Sequence, residues 1–286
     1  MAITIDDGPF VNGRSGSYLQ HADARTTVFL QTLRKHGAPA VLFVYERQLE
    51  AGGPGEQAAR TALLERWVAD GHVLGNHTFS HPDANALTAA AYQEDIAKGE
   101  RVTLRLMAGR GAYQKYFRHP FTHTGDTTEK KASIDAFLAA RGYVVTPHTA
   151  ENADWMFNGP YVRAADAGNA SERDRIAAAY LAHTSHVVEF AEQASEQVFG
   201  REIPQVLLLH ANDVTGTQLD AVLRALTARG YSFATLDEVM RDQAYRTPET
   251  WVGRAGPTWL FRWARSLGKT VSFAGEPEPP QWLTTP

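Results

Sequence analysis

The sequence predicts an α/β fold, a distorted (β/α) barrel of about seven parallel strands with a C-terminal helical, Trp-rich extension. The main observation is one recurring pattern, in which a helix-like stretch ends in glycine and a short β-branched or aromatic run follows. It occurs at Gly37, Gly71, Gly142 and Gly230. Glycine just past a helix end supplies the left-handed cap, and short apolar runs are typical of buried strands. Strands that alternate with helices favour a parallel sheet, here closed into a barrel.

Four of the predicted strands follow these glycines, and the last of them is Tyr231–Thr235. Three more are predicted at Ala2–Ile5, Lys115–Arg118 and Gln205–Leu209. Two helices are well marked by apolar residues at helical spacing. One begins at Thr88 and continues through Tyr92, Ile96, Val102 and Leu106. The other begins at a capping-box-like pair, Ser171 and Asp174, and continues to Val198.

The chain divides by composition into a main domain, 1–243, and an extension, 244–286, that packs on or caps the barrel. After about Tyr245, Pro and Trp become frequent. Within the extension, Thr258–Lys269 has the spacing of an amphipathic helix, with Trp259, Leu260, Trp263 and Leu267 on one side. We expect this helix to be strapped across the barrel. An aromatic platform for a substrate is the alternative.

Composition excludes several classes of protein and of site. The 286 residues carry a net charge of −4 and contain no cysteine. Lys and Arg are not concentrated anywhere, which disfavours a nucleic-acid partner. Any metal must be held by His, Asp, Glu or water, because thiolate ligands are absent. No apolar run reaches the length of a membrane span, and no signal peptide is visible.

Two adjacent carboxylates, Asp6 and Asp7, follow the first predicted strand. The carboxyl ends of parallel barrel strands hold the active site, and two neighbouring negative charges there disfavour each other. A bound cation would relieve that repulsion. A solvated turn is the alternative interpretation, because Asp, Gly and Pro are common turn residues.

A second candidate group, His77 and His81, also follows a predicted strand. Histidines four residues apart can direct both imidazoles at one ion. A carboxylate and two histidines leave a coordination position open, which suits a hydrolytic metal rather than a structural one.

Three further polar residues follow other predicted strands. Arg118 can orient a buried carboxylate and keep it ionised. His210 ends a buried strand, and a neighbouring carboxylate such as Asp154 would keep it a proton donor at neutral pH. Each has an ordinary interpretation by itself, a surface arginine or a core histidine, but polar residues at five strand ends in one orientation favour an active site.

Taken together, these residues resemble the polysaccharide deacetylase (NodB-homology) family, carbohydrate esterase family 4. The resemblance covers about residues 2–239 and includes five short motifs in the family's order. It implies a hydrolase that removes acetyl groups from N-acetylhexosamine units of peptidoglycan or chitin-like chains. It also implies a divalent metal, usually Zn²⁺ with Co²⁺ or Ni²⁺ sometimes active, and an acetylated carbohydrate as substrate.

The resemblance also implies a role for each matching residue. Asp7, His77 and His81 would hold the metal. Asp6 would be the general base, held by Arg118, and His210 the general acid, tuned by Asp154. The backbone N–H of Phe121 would stabilise the oxyanion. Trp155 and Leu208 would form the walls of the pocket for the acetyl methyl group.

The sequence departs from the family pattern at two positions. Phe121 stands where Tyr is usual, and Glu151 stands where Asp is usual in the fourth motif. His119, His123 and His148 also lie on the presumed active face, where they either shape substrate choice or belong to loops without a chemical role.

Other functions compete with this one. The same chemistry would serve an ester hydrolase on acetylated xylan or a small-molecule deacetylase. A non-catalytic sugar-binding module is an alternative of another class, in which the acid and base residues would be expendable. The expected substrates favour an extracytoplasmic location.

Overall fold

The computed structural model describes residues 1–11, 17–111, 113–272 and 274–283. The strands in these residues are β1 Ala2–Gly8, β2 Ala40–Val44, β3 Val73–Asn76, β4 Lys115–Phe117, β5 Tyr143–Val145, β6 Ala150–Glu151 and β7 Val206–His210. The α-helices there are α1 Tyr18–Lys35, α2 Pro54–Ala69, α3 Ala89–Lys98, α4 Arg101–Met107, α5 Thr128–Ala140, α6 Asp154–Asp166, α7 Ala170–Phe199, α8 Asp213–Ala228, α9 Leu236–Met240 and α10 Trp259–Ser266.

The seven strands form one parallel sheet in the order β5-β4-β3-β2-β1-β7-β6. The sheet curls into an open barrel with helices around it, as the sequence predicts. β1 lies at its centre, where Ile5 is in register with Leu42 on one side and Leu209 on the other. Every residue of β2 is buried, which is usual for a parallel strand covered on both faces.

One predicted strand is wrong. Tyr231–Thr235 is not a strand, although it runs beside the start of β1: the Ala234 N–H donates to the Met1 carbonyl at 3.0 Å. β1 already pairs with β2 and β7, so this segment has no free edge to join. The seventh strand is instead β6, which extends the sheet beyond β7 and which the sequence pattern missed because it is two residues long.

Both well-marked helices differ in detail from the prediction. The helix from Thr88 to Leu106 is divided at Gly99 into α3 and α4. The buried Glu46 carboxylate accepts the first N–H groups of α4, and this anion offsets the positive end of the helix dipole. α7 starts at Ala170 and is capped by Asn169 rather than Ser171, because the Asn169 side chain accepts the N–H of Glu172.

The C-terminal segment packs on the barrel through α10. Trp259, Leu260 and Trp263 are buried in the main hydrophobic core, whereas Leu267 lies beyond the helix end and is 45% exposed. Trp263 contacts the rings of Phe199 and Tyr245 edge-on, at centroid distances of 5.7 and 5.2 Å. The helix α10 therefore packs on the core, while the strap across the barrel and the domain boundary at 243/244 stay predictions. No helix in the described ranges is long and apolar enough to cross a membrane.

We expect Trp263→Ala to lower the free energy of unfolding by about 3–5 kcal/mol, because it leaves a cavity where a buried indole was. Urea denaturation would measure the change, with the exposed Leu267→Ala as the matched control on the same segment. Equal, small effects of the two changes would show that the segment contributes little to the folded core.

Candidate active site

The predicted polar residues meet at the carboxyl edge of the sheet. Asp6 and Asp7 lie at the end of β1, His77 directly follows β3, Arg118 directly follows β4, and His210 ends β7. The register places Asp6 opposite His210 on the neighbouring strand. The parallel arrangement therefore brings residues from four distant parts of the sequence to one edge.

Asp7, His77 and His81 form a compact cluster whose possible ligand atoms all lie within 4.8 Å of one another. Nε2 of His81 lies 3.3 Å from Oδ1 of Asp7, and Nε2 of His77 lies 3.7 Å from the same oxygen. The three atoms converge from the end of β1 and from the loop after β3. In the described residues this is the one group of three or more such side chains with this spacing.

The donor set of this cluster fits a divalent cation. Oδ1 of Asp7 is buried without a hydrogen-bond partner, which is costly unless another group satisfies it. The His77 ring bonds the Arg118 carbonyl through Nδ1 at 2.8 Å, which leaves Nε2 facing the cluster. Burial, together with His81, lowers the pKa of His77 to about 3, so its imidazole is neutral and able to bind a metal.

The loop that carries the two histidines is held by residues that the sequence did not mark. The Asp95 carboxylate on α3 accepts the N–H groups of Phe79 and Ser80, at 2.8 and 2.9 Å, and the Ser80 hydroxyl at 2.7 Å. The Asn76 side chain accepts the N–H of Thr78 at 2.7 Å. Asn76 immediately precedes His77 in the sequence, which is a local signal. No such signal relates Asp95 to a loop about 15 residues earlier.

Asp6 lies on one side of the cluster and is paired with Arg118. Nη1 of Arg118 donates to Oδ1 of Asp6 at 2.8 Å and to the Thr4 hydroxyl at 2.7 Å, while Nη2 donates to the Pro147 carbonyl at 3.1 Å. Both partners are buried. Oδ2 of Asp6 lies 3.9 Å from Nε2 of His77, so the second carboxylate oxygen faces the cluster of Asp7, His77 and His81.

His210 and Asp154 form a second pair at this edge of the sheet. The Asp154 carboxylate bonds Nδ1 of His210 at 2.6 Å and accepts the His210 backbone N–H at 2.7 Å. The Thr215 hydroxyl donates at 2.5 Å to Oδ2, the oxygen that also accepts the His210 backbone N–H, a contact the sequence did not indicate. Burial alone would lower the pKa of His210, but the charge and hydrogen bond of Asp154 outweigh it and raise this pKa to about 10.

The backbone is strained at this edge. Among the described residues, the non-glycine residues with positive φ all lie at or just beyond the carboxyl ends of strands: Asp7, Thr78, His81, Phe121, Thr122 and Ala153. Each such residue costs on the order of 1–3 kcal/mol and persists only where its surroundings enforce it. Strain of this kind clusters at functional sites, and sequence reasoning had no signal for it.

The remaining predicted residues lie beside the two pairs. Phe121 is 56% exposed, and its ring contacts His81 edge-on at a centroid distance of 4.8 Å. Trp155 is 59% exposed and donates its indole N–H to Glu151 at 3.0 Å. Leu208 is buried in β7 and in register with Glu151.

The three additional histidines do not share one environment. His119 and His148 are buried, and burial lowers the pKa of each well below its usual value, so both are neutral. His119 contacts the Tyr92 hydroxyl at 3.1 Å. His123 is partly exposed and pairs with Asp83 at 2.8 Å.

The fold and the site together define an open parallel barrel with a candidate metal centre between a carboxylate–arginine pair and a histidine–aspartate pair. Residues 1–137 match the family described as Polysaccharide deacetylase. The first 137 residues of the chain are therefore similar to the polysaccharide deacetylase family. The matched residues include the cluster of Asp7, His77 and His81, together with Asp6 and Arg118. Asp154 and His210 lie beyond residue 137.

Curated relatives include named deacetylases. A chitin deacetylase of Colletotrichum lindemuthianum is 28% identical over 163 residues, which cover 56% of this chain and 54% of that protein. A peptidoglycan-N-acetylglucosamine deacetylase of Bacillus cereus is 26% identical over 156 residues, which cover 54% of this chain and 46% of that protein. The chain thus spans about half the length of these curated relatives.

Solved structures share the fold. The chitin deacetylase from Colletotrichum lindemuthianum superposes with a TM-score of 0.56 at 24% identity, covering 88% of this chain and 90% of that one. A family pseudoenzyme from Bacillus anthracis has the same TM-score at 16% identity, covering 84% of this chain and 64% of that one. At these identities the likeness establishes the barrel and not the activity.

Gly99→Ala is expected to displace the histidine loop and weaken divalent-metal binding, by about tenfold or more, as for loss of other supports behind metal ligands. A Cβ at residue 99 would lie 2.2 Å from the Thr78 carbonyl carbon and 2.5 Å from the Phe79 nitrogen, so the backbone must move. Calorimetric titration with Zn²⁺ measures the effect. Gly109→Ala, where a Cβ meets open space, is the matched control and should bind as the unchanged protein does. Equal affinities of the two variants would contradict this role of Gly99.

Proposed function

We propose that this protein is a divalent-metal-dependent deacetylase that hydrolyses the acetamide of N-acetylhexosamine units in a polysaccharide. One observation carries the proposal. The Asp7, His77 and His81 cluster lies between a carboxylate suited to act as base and a histidine kept protonated by Asp154. Amide hydrolysis requires both functions, because the nucleophile must lose a proton and the amine leaving group must gain one.

Asp7, His77 and His81 would hold the metal, for which Zn²⁺ is the first candidate and Co²⁺ or Ni²⁺ are alternatives. When bound, such an ion supplies Lewis-acid polarisation and lowers the pKa of water towards about 7. A carboxylate with two imidazoles leaves room for further ligands, as catalytic sites require.

Asp6 acts as the general base in this proposal. Arg118, itself held by the Thr4 hydroxyl, fixes the carboxylate on the Oδ1 side, so Oδ2 is left to accept the proton of the attacking water. The Arg118 guanidinium, 2.8 Å from Oδ1, compensates the negative charge of this carboxylate. Arg118 is thus a positioning residue rather than a participant in the proton transfer.

His210 acts as the general acid. Asp154 bonds Nδ1, so Nε2 remains to donate a proton to the departing amine. Thr215 and the His210 backbone N–H fix Asp154 in turn, and the pair therefore keeps its orientation. Base and acid have different charged neighbours, which pushes their protonation states apart.

The substrate is proposed from the relatives and from the surface beside the site. The named relatives act on chitin or on peptidoglycan N-acetylglucosamine. Phe121 and Trp155 expose aromatic rings near the site, which suits contact with the apolar parts of a sugar. Trp155 and Leu208 would line the acetyl methyl pocket, and the Phe121 N–H would donate to the oxyanion. An enzyme with such a polymeric substrate would act outside the cytoplasm.

We expect acetate release from chito-oligosaccharides or peptidoglycan that stops after chelation and returns when Zn²⁺, Co²⁺ or Ni²⁺ is added. The panel also includes acetylated xylan, because faster release from xylan would identify an ester hydrolase. Activity that survives complete metal removal would refute the metal proposal. Saturable sugar binding without acetate release by the unchanged protein would identify a non-catalytic binding module.

Asp6→Asn should keep its bound metal yet lower kcat by at least about a hundredfold, the low end of what a general base contributes. The amide cannot accept the proton, whereas Asp7 still supplies the ligand oxygen. Metal analysis and steady-state kinetics measure the two properties. Asp220→Asn changes an ion pair far from the site and serves as the control. A near-normal rate in Asp6→Asn would remove Asp6 from this role.

The pH profile should depend on Asp154. The acid must be protonated, so activity is present below the pKa of His210 and falls as the pH rises through it. Asp154 raises this pKa more than Asp7 or Asp6 does, so Asp154→Asn lowers it and should move the alkaline limb of kcat/KM to lower pH. Thr215→Val removes one hydroxyl that donates to Asp154 and leaves the carboxylate in place, so it should move the alkaline limb less. An unmoved alkaline limb in Asp154→Asn would exclude His210 as the titrating acid.

A further inference from the structure

A buried arginine on the C-terminal helix reaches the loop that carries Phe121. Arg262 is fully buried, and its Nη2 donates to the Thr122 carbonyl at 2.6 Å. Nη1 contacts the Thr124 hydroxyl at 3.3 Å, and Nε donates to the Pro257 carbonyl at 2.9 Å. The guanidinium therefore bridges the loop and the segment that leads into α10.

This arginine has few opposite charges near it. Glu249 lies 3.9 Å away, and the guanidinium lies over the Trp259 ring at 4.0 Å. Burial lowers the pKa of Arg262 to about 10, against the opposing effect of Glu249. A buried cation is costly unless its hydrogen bonds are made, so the loop carbonyl is a necessary partner and not a chance neighbour.

The same segment contacts the loop a second time, at Gly256. The Thr122 hydroxyl donates to the Gly256 carbonyl at 2.8 Å. A Cβ on Gly256 would lie 2.1 Å from that hydroxyl oxygen and 2.3 Å from the Phe121 carbonyl oxygen. Only glycine permits this approach. The Trp259 N–H also donates to the His148 carbonyl at 3.0 Å, which fixes the start of α10 against the barrel.

The loop needs such support because it is strained. Phe121 and Thr122 have φ of 55° and 54°, the left-handed region that side chains disfavour. Each such conformation costs about 1–3 kcal/mol, so two consecutive residues of this kind would relax unless contacts from outside the loop held them. Arg262 donates to the Thr122 carbonyl. Gly256 accepts the Thr122 hydroxyl and lies close against the Phe121 carbonyl.

We propose that Arg262, together with the close approach of Gly256, is the positioning device that aims the Phe121 backbone N–H at the oxyanion. The C-terminal segment is thereby part of the catalytic apparatus without touching the substrate. The inference rests on the proposed deacetylase function, in which this N–H stabilises charge that develops only in the transition state.

Two changes test the inference. Arg262→Gln removes the charged bridge, and Gly256→Ala pushes the loop away while the charge stays. Each should lower kcat about tenfold to a hundredfold, since misplacement by an ångström has effects of this size, while KM changes by less than about threefold. Arg262→Lys keeps the positive charge but not the planar guanidinium with its several donors, so its kcat should lie between those of Arg262→Gln and the unchanged protein.

Matched controls accompany both changes. Arg265→Gln alters an exposed arginine on the same helix, and Gly55→Ala adds a Cβ in open space, so both should keep the kinetics of the unchanged protein. Bound metal should be equal in all variants. If Arg262→Gln does not fold, the kcat of Gly256→Ala tests the inference by itself. Normal kcat in folded Gly256→Ala, or equal losses in the controls, would overturn the inference.

Hydrogen exchange separates this inference from the proposed function. The N–H groups of Thr122 and His123 bond the carbonyls of His119 and Pro120, at 3.0 and 3.1 Å. They should exchange faster in Arg262→Gln and Gly256→Ala than in the controls, whatever the activity. Unchanged exchange would show that Arg262 does not hold the loop. No acetate release by the unchanged protein would instead reject the deacetylase proposal and leave the exchange result to decide the positioning.

Discussion

The crowding of negative charge at the end of β1 is the constraint on which the site depends. Asp6 and Asp7 are consecutive, so their carboxylates share one small region at the edge of the sheet. Arg118 compensates one of them through a fully buried ion pair. The other keeps a buried oxygen without a hydrogen-bond partner, between the two histidine rings. The arrangement is stable in the proposed enzyme because a cation would complete the charge balance.

Support for the site comes from groups that make no contact with the cluster itself. Asp95 and Asn76 hold the histidine loop, Thr215 holds Asp154, and Thr4 holds Arg118. These polar contacts enforce the left-handed residues of the loops, which would otherwise relax. A functional geometry is maintained in this way by a second layer of hydrogen bonds, as metal sites generally require.

The site divides into two halves along the chain. The family match at residues 1–137 includes the cluster and the proposed base, and the proposed acid comes from later strands and helices. Parallel pairing of β1 with β7 joins the halves, since it sets Asp6 and His210 in register. The C-terminal segment adds a third contribution through Arg262 and Gly256, so residues from nearly the whole chain converge on one edge of the sheet.

By itself the sequence determined the barrel class and the residues at the strand ends, because glycine caps, apolar runs and short polar motifs are local signals. Parallel strands end at one edge, so the sequence predicted that these polar residues meet there. The resemblance to the family then assigned Asp7 to His77 and His81, and Arg118 to Asp6. It erred at Tyr231–Thr235, where local strand propensity could not reveal that both edges of β1 were taken. Tertiary structure alone decided the contacts of Asp95, Thr215 and Arg262, because these depend on which distant backbone lies within hydrogen-bond reach, and no local pattern encodes that.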